Sequence, residues 1–348
     1  GRPSARMDEF DLIRRFFVRN GVPGVPGMVA ASGVHAGAIL GPGDDCALLA
    51  ATTTAAARFA VTTDLLVDGL HFFSDVDPQT LGHKALAVNL SDLAAMGARP
   101  VAYLLALALP RADTEWLEAF ARGLHALADR YEVELVGGDT TRGPLTIAIT
   151  ALGEVDPADA LRRDRARPGD DVWVSGCLGA AAFAVRERLR GHPLPALHPA
   201  RMRLEEPVPR VELGLQLAKL SKQGLVHAAI DLSDGLAGDL SHILARSSSA
   251  LGTSVGAVLW AEALPSHECL TGLVPADRHD LMLFGGDDYE LLFSAPSTAR
   301  GVLERLGGLH RIGVLGAGPE LRLQDGSGGE RVLPNRAYQH FRSESDRL

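Results

Sequence analysis

Apolar positions recur at two different periods along this chain, and the alternation between them predicts a mixed fold. Phe10, Ile13, Phe16 and Phe17 stand at helical spacing, and the Gly- and Pro-rich stretch 21–27 closes that first helix. Short β-like runs follow at 46–49, 59–63, 101–109, 133–136 and 145–152, each bounded by Gly, Pro or Asp. Two helices are expected between them. One covers 78–96, with Asp77 as N-cap, Pro78 at the first helical position and Gly97 as terminator; the other covers 114–130. The polar, Arg-rich stretch 156–170, with Pro157 and Pro168, reads as a connection between domains. Beyond it, strands at 172–175, 228–230, 255–259 and 289–293 are interspersed with helices at 178–190, 209–222, 236–247 and 297–306. Strands and helices thus alternate in both halves, which gives an α/β or α+β class with mixed sheets and domains at 8–155 and 156–345. Residues 1–6, ahead of Met7, are expected to lie outside the fold, as an expression remnant or an upstream extension.

Composition narrows the partners. The chain has 348 residues, room for two domains of roughly 150–180 residues. Its formal charge is −9 and its basic residues are nearly all Arg without a dense block, which argues against a nucleic-acid partner. The longest apolar run, 101–109, is strand-sized, so no bilayer span is expected. Cys46, Cys177 and Cys269 form no CxxC pair. They read as small buried apolar residues in a reducing, cytoplasmic setting. No repeat of solenoid length occurs, and the only low-complexity stretch is the Ala/Thr patch 50–57.

The candidate chemistry lies in aspartates that end apolar runs beside Gly, Ser or Thr. They occur in GPGDDCALL (Asp44, Asp45), VTTDLLVDG (Asp64, Asp68), NLSDLAAMG (Asp92), LVGGDTTRG (Asp139), DLSDGL (Asp231, Asp234) and FGGDDYELLF (Asp287, Asp288). Any one of these alone is an ordinary turn or helix cap. Six together place carboxylates around the rim of a sheet, where they would repel one another unless divalent cations compensate. All-oxygen ligands favour Mg²⁺ over zinc, and Mg²⁺ typically bridges carboxylates to phosphate oxygens, so the pattern reads as a polyphosphate site. The chain has neither GxxxxGK[ST] nor GxGxxG and only three lysines, which fits neither a P-loop kinase nor a protein kinase.

In order and spacing, GPGDDCALL, VTTDLLVDGLHF, KALAVNLSDLAAMGARP, GGDTTRGP, AIDLSDGLAGDL and GGDDYELLF closely resemble the thiamine-monophosphate kinase family. That family sits within the superfamily typified by aminoimidazole ribonucleotide synthetase, and the resemblance runs over 8–341. It implies Mg²⁺- and ATP-dependent phosphorylation of thiamine monophosphate to thiamine diphosphate. It also implies an α+β fold of two domains: an N-terminal sheet domain pairing across a homodimer into a shared β-barrel, and a C-terminal α/β layered domain.

Carried over motif by motif, Asp45, Thr62, Thr63, Asp64, Asp92, Asp139, Asp231 and Asp234 correspond to metal ligands. Gly138, Asp139, Arg163 and Ser233 correspond to ATP contacts, and His71, Asp287 and Tyr338 to positions that hold the thiamine substrate. The family commonly writes GGEDYEL, so Asp287 is one methylene shorter than its usual counterpart. Asp44, Asp68 and Asp288 read equally as supporting or plain turn residues. Because the acceptor is already an ionised phosphate monoester, direct transfer without a phospho-enzyme or a catalytic base is expected. Other readings are a related synthetase such as selenophosphate synthetase, a hydrogenase-maturation relative, a metal-dependent phosphohydrolase or a nucleotide sensor. The first would need a reactive Cys and a Lys near the N-terminus, and none precedes Cys46 or Lys84; the second would need a C-terminal Cys, where this sequence reads DRL.

Overall fold

The computed structural model describes residues 38–40, 47–50 and 56–334. The helix expected near residue 10, the 21–27 loop, Asp44, Asp45, Cys46 and Tyr338 lie outside the described residues. The architecture is mixed α+β, built on two sheets. The first holds six strands: β1 (Ala38–Leu40), β2 (Ala47–Ala50), β3 (Arg58–Val67), β4 (Arg99–Leu109), β5 (Glu134–Arg142) and β6 (Thr146–Val155). Their order is β1-β2-β3-β6-β4-β5, antiparallel except for the parallel β4/β5 edge pair. The second holds β7 (Asp171–Ser175), β8 (Ala228–Asp231), β9 (Val255–Trp260), β10 (Leu291–Ala295), β11 (Leu309–Ala317), β12 (Leu321–Gln324) and β13 (Glu330–Val332). Their order is β13-β12-β9-β11-β7-β10-β8.

Helix α1 (Pro78–Ala95) packs on the first sheet and is buried on almost every side. Asp77 starts it by accepting the Gln79 N–H at 2.7 Å, with Pro78 in the first turn where no N–H is needed. Gly97, at φ +67°, lets the chain turn away at the end. Helix α2 (Thr114–Arg130) is amphipathic and lies against α1. The two helices touch through Gly82 and Gly123: a Cβ on either would overlap the backbone carbonyl of Phe120 or Gln79, respectively.

The second half adds α3 (Ala180–Leu189), α4 (Pro199–Glu205), α5 (Val211–Lys222), α6 (Leu236–Leu251), α7 (Pro275–Phe284) and α8 (Arg300–Leu306). Two large apolar cores result. One joins the first sheet and α1 to Val211, Leu217, Ala229, Leu291 and Phe293, so it runs into the second half; the other lies between the second sheet and α6.

Several expectations need adjustment. The run expected at 133–136 continues as β5 through the GGDTTR stretch, because parallel pairing with β4 extends to Arg142. Helices α4 and α7 and strands β11 to β13 have no counterpart in the periodicity reading. The helices are short, β12 and β13 have only four and three residues, and β11 has His310 and Arg311 near its start and is interrupted by Gly313 and Gly316, so no clear two-residue period shows. Cys177 and Cys269 are free and only half-buried.

Replacing Gly123 by Ala is expected to force α1 and α2 apart and to lower stability by about 1–3 kcal/mol, read as a lower urea midpoint. An unchanged midpoint would mean that the helix contact is not tight.

Candidate functional site

The site is built around the last two turns of α1, where the sequence NLSD supplies three polar side chains within four residues. At 100° per residue, Asn89 and Asp92 share one face and Ser91 points elsewhere. Asn89 Nδ2 donates to the Ala85 carbonyl at 3.0 Å, and its Oδ1 accepts the Asp64 N–H at 3.1 Å. That N–H sits where β3 has run past its pairing with β2, which ends at Val61. Thr62 Oγ1, buried two residues before Asp64 on the same face of β3, donates to Asp92 Oδ2 at 2.5 Å. Ser91 reaches the other sheet, where Oγ donates to Asp231 Oδ2 at 2.6 Å, at the end of β8. One helix thus ties carboxylates from both halves of the chain into one locality.

Two loops close over it. The DLSDG turn and the GGDDYE turn are laced together by main-chain bonds: Asp287 N–H to the Ser233 carbonyl at 2.9 Å, Tyr289 N–H to the Leu232 carbonyl at 2.7 Å, and Leu232 N–H to the Glu290 carbonyl at 2.9 Å. Asp239 accepts the Asp234 N–H at 3.1 Å and steadies the first of them. Asp287 and Tyr289 both take positive φ, +65° and +49°, a conformation that costs free energy in residues with side chains. What holds them there is Glu290. Its carboxylate, 1% exposed, accepts from Arg203 at 2.7 Å, from Arg210 at 2.7 and 2.5 Å and from Ser175 at 2.5 Å.

Asp287 then points at α1. Its Oδ2 lies 3.0 Å from Lys84 Nζ, and its Oδ1 accepts from Tyr289 Oη at 3.1 Å. Burial pushes the Tyr289 phenol well up, and the carboxylates of Asp287, Asp64 and Asp231 push it the same way, so it remains a donor. Asp288 turns into the core and accepts the Gly179 N–H at 3.0 Å at the start of α3, while its Oδ2 has no partner. Burial raises the Asp288 carboxyl well above the usual carboxylate range.

The other expected residues fall in different places. Thr63 turns its hydroxyl to the opposite face of β3, where it donates to the Ile149 carbonyl at 3.0 Å. Gly138 and Asp139 lie on β5, three strands from β3 and therefore roughly 14 Å across the sheet. Gly138, at φ +148°, presses on the Leu105 carbonyl so closely that no side chain fits. Ser233 and Asp234 sit in the turn beside Asp287, and Arg163 is near α6 through a bond from Ser247 Oγ to its carbonyl at 2.9 Å. His71 Nδ1 accepts the Val67 N–H at 3.0 Å, which leaves the proton of the neutral ring on Nε2. Its loop is fastened to α3 by Arg188, which pairs with Asp75 at 2.7 Å and lies over the Phe73 ring. Lys84, Asn89, Ser91, Tyr289 and Glu290 were not among the expected site residues. The signal for Lys84 and Ser91 was their seven-residue spacing, which puts both on one stripe of α1.

Among the described residues, no three His, Cys, Asp or Glu side chains stand close enough together to hold one ion by themselves. The donors gathered at α1 are nonetheless carboxylate and hydroxyl oxygens, the set that suits Mg²⁺.

Residues 43–155 match the family described as AIR synthase related protein, N-terminal domain. The thiamine-monophosphate kinase of Salmonella typhimurium is 42% identical over 301 residues, 85% of each chain. Among solved structures, the thiamine-monophosphate kinase of Stenotrophomonas maltophilia K279a is 45% identical with a TM-score of 0.72, covering 83% of this chain and 92% of its own. AaThiL, solved as a complex with AMPPCP and TMP, is 29% identical with a TM-score of 0.73, covering 86% and 91%.

The buried Asp288 carboxyl makes stability depend on pH. Its folded pKa lies above its unfolded value of about 4, so its contribution is fully present below that value and is lost as pH rises through the folded pKa. Between pH 5 and 8 the melting temperature is expected to fall more in the wild type than in Asp288→Asn. Parallel profiles for the two would contradict the assignment.

Proposed function

This chain belongs to the thiamine-monophosphate kinase family, and we propose that it transfers the γ-phosphoryl group of ATP directly to thiamine monophosphate, giving thiamine diphosphate, with Mg²⁺ required. The observation that carries this reading is the double attachment of α1, Thr62 to Asp92 on one side and Ser91 to Asp231 on the other. It collects acids from both sheets in a chain similar over 86% of its length to a structure holding an ATP analogue and TMP.

In this reading Thr62, Asp64 and Asp92 hold Mg²⁺ from the first sheet and Asp231 and Asp234 from the second, with Asp45 and Asp139 completing the set. Thr63 serves through its main chain, since its hydroxyl is turned away. When bound, Mg²⁺ screens the charge on both reacting phosphates. Phosphate oxygens would add ligands to those that the described residues bring together. Gly138, Asp139, Arg163 and Ser233 hold ATP, and His71, Asp287 and Tyr338 hold the thiamine moiety. The second pKa of a phosphate monoester is about 6, so near neutral pH no side chain has to remove a proton from the acceptor. The work of the protein is to hold two anions in line.

Two domains divided near residue 155, a cytoplasmic location and a homodimer belong to the same reading. In support of the dimer, Leu65 and Leu104 lie exposed on the face of the first sheet that carries Thr63, an apolar surface that a second copy would cover. Sedimentation equilibrium is expected to give twice the chain mass; a monomer at micromolar concentration would contradict the pairing.

ADP release from ATP and Mg²⁺ is expected with thiamine monophosphate and not with thiamine or without an acceptor, with a product heavier by one phosphoryl group. Equal release in all three would indicate a phosphohydrolase instead. Asp92→Asn is expected to lower kcat at least a hundredfold while the circular dichroism melt is retained, and unchanged turnover would remove Asp92 from the site.

A further inference from the structure

Lys84 is one of three lysines in a chain with 34 basic residues, and it is buried on α1 with its side chain 5% exposed. Its one hydrogen bond among the described residues goes to Asp287, whose side chain is 29% exposed. A buried ammonium carries three donors and is costly to hold with only one of them used. The lysine is thus the fixed member of the pair, and the acid, on the strained loop tip, is the member open to an arriving ligand. Lys84 also shares its helical stripe with Ser91, about 10 Å further along the axis, which holds Asp231. The stripe therefore has a cation at one end and carboxylates at the other. A lysine here offers a compact point charge with rotatable donors, suited to a phosphate that must shift as it reacts.

We propose that Lys84 binds the phosphate group of the acceptor. The Lys84–Asp287 ion pair stands in for a substrate that is itself a cation joined to a phosphate: its cationic ring takes the place of the ammonium beside Asp287, and the freed ammonium takes the anion. This rests on the reading above that the acceptor is thiamine monophosphate. Lys84 forms no covalent bond and neither gives nor takes a proton. The acceptor oxygen supplies the electron pair of the new P–O bond, and the pair of the broken bond leaves with ADP.

The test is calorimetric binding of thiamine monophosphate and of thiamine, with AMPPCP and Mg²⁺ present, to wild type, Lys84→Met and the double variant Lys84→Met/Asp287→Asn. Lys84→Met is expected to weaken thiamine monophosphate at least tenfold and thiamine less than threefold, and the double variant to remain weak for the monophosphate. Equal losses for both ligands would overturn the proposal, as would recovery of monophosphate affinity in the double variant, because Lys84 would then only neutralise Asp287. Should Lys84→Met fail to melt cooperatively, Lys84→Gln, which keeps a donor to Asp287 without the charge, is read by the same criteria. A wild type that binds no thiamine monophosphate would overturn the proposed function and this inference together. A wild type that binds and turns it over while Lys84→Met keeps full affinity would overturn this inference alone.

Discussion

The candidate site depends on one helix being held from both sides at its C-terminal turns. Thr62 Oγ1 to Asp92 and Asn89 to the Asp64 main chain fasten α1 to the first sheet; Ser91 Oγ to Asp231 fastens it to the second. Each is a bond to or beside a carboxylate in a place with little water, so each carries more than a surface contact would. Tight packing of α1 against α2 across Gly82 and Gly123, and its burial on nearly every side, leave the helix little freedom to relieve a misplaced acid. The shared apolar core, running from Leu86 and Leu90 to Leu291 and Phe293, gives the two halves a common reference frame for these bonds.

The second support is electrostatic. The GGDDYE loop carries two residues at positive φ and three acids in four positions, an arrangement that would open if left alone. Glu290 answers this by drawing in Arg203 and Arg210, while Asp287 finds Lys84 and Asp288 is driven toward its neutral form by burial. Breaking a buried pair of this kind typically costs about 3–5 kcal/mol, because the remaining charge is left without a partner. Adjacent carboxyls are thus assigned different environments: one solvent-accessible and paired with a lysine, one buried and capping α3, one locked between guanidinium groups.

Much of this was legible in the sequence, for reasons that differ from element to element. Helix α1 announced itself by Asp77, Pro78 and Gly97, and the structure places its N-cap and closing turn there. The acid motifs were legible because Gly, Ser and Thr mark chain reversals at the ends of apolar runs. Periodicity could not show which acids would meet. Asp139 belongs to the same series as Asp64 in sequence, yet strand order sets them at distant positions in the sheet. Thr63 and Thr62 are adjacent, and the two-residue alternation of β3 sends them to opposite faces. Lys84 and Glu290 escaped notice because their roles are long-range pairings, across 203 and 80 to 87 residues, that no local pattern encodes.

The central claim is that acids from the two halves act as one unit because α1 binds both. It is tested most directly by a double-mutant cycle on kcat/KM with thiamine monophosphate, using Asp92→Asn, Asp231→Asn and the pair. Residues that act together lose most of their effect in the first substitution, so the double variant is predicted to fall little below the weaker single variant. Losses that multiply across the two sites would show that the acids act independently and would contradict the account.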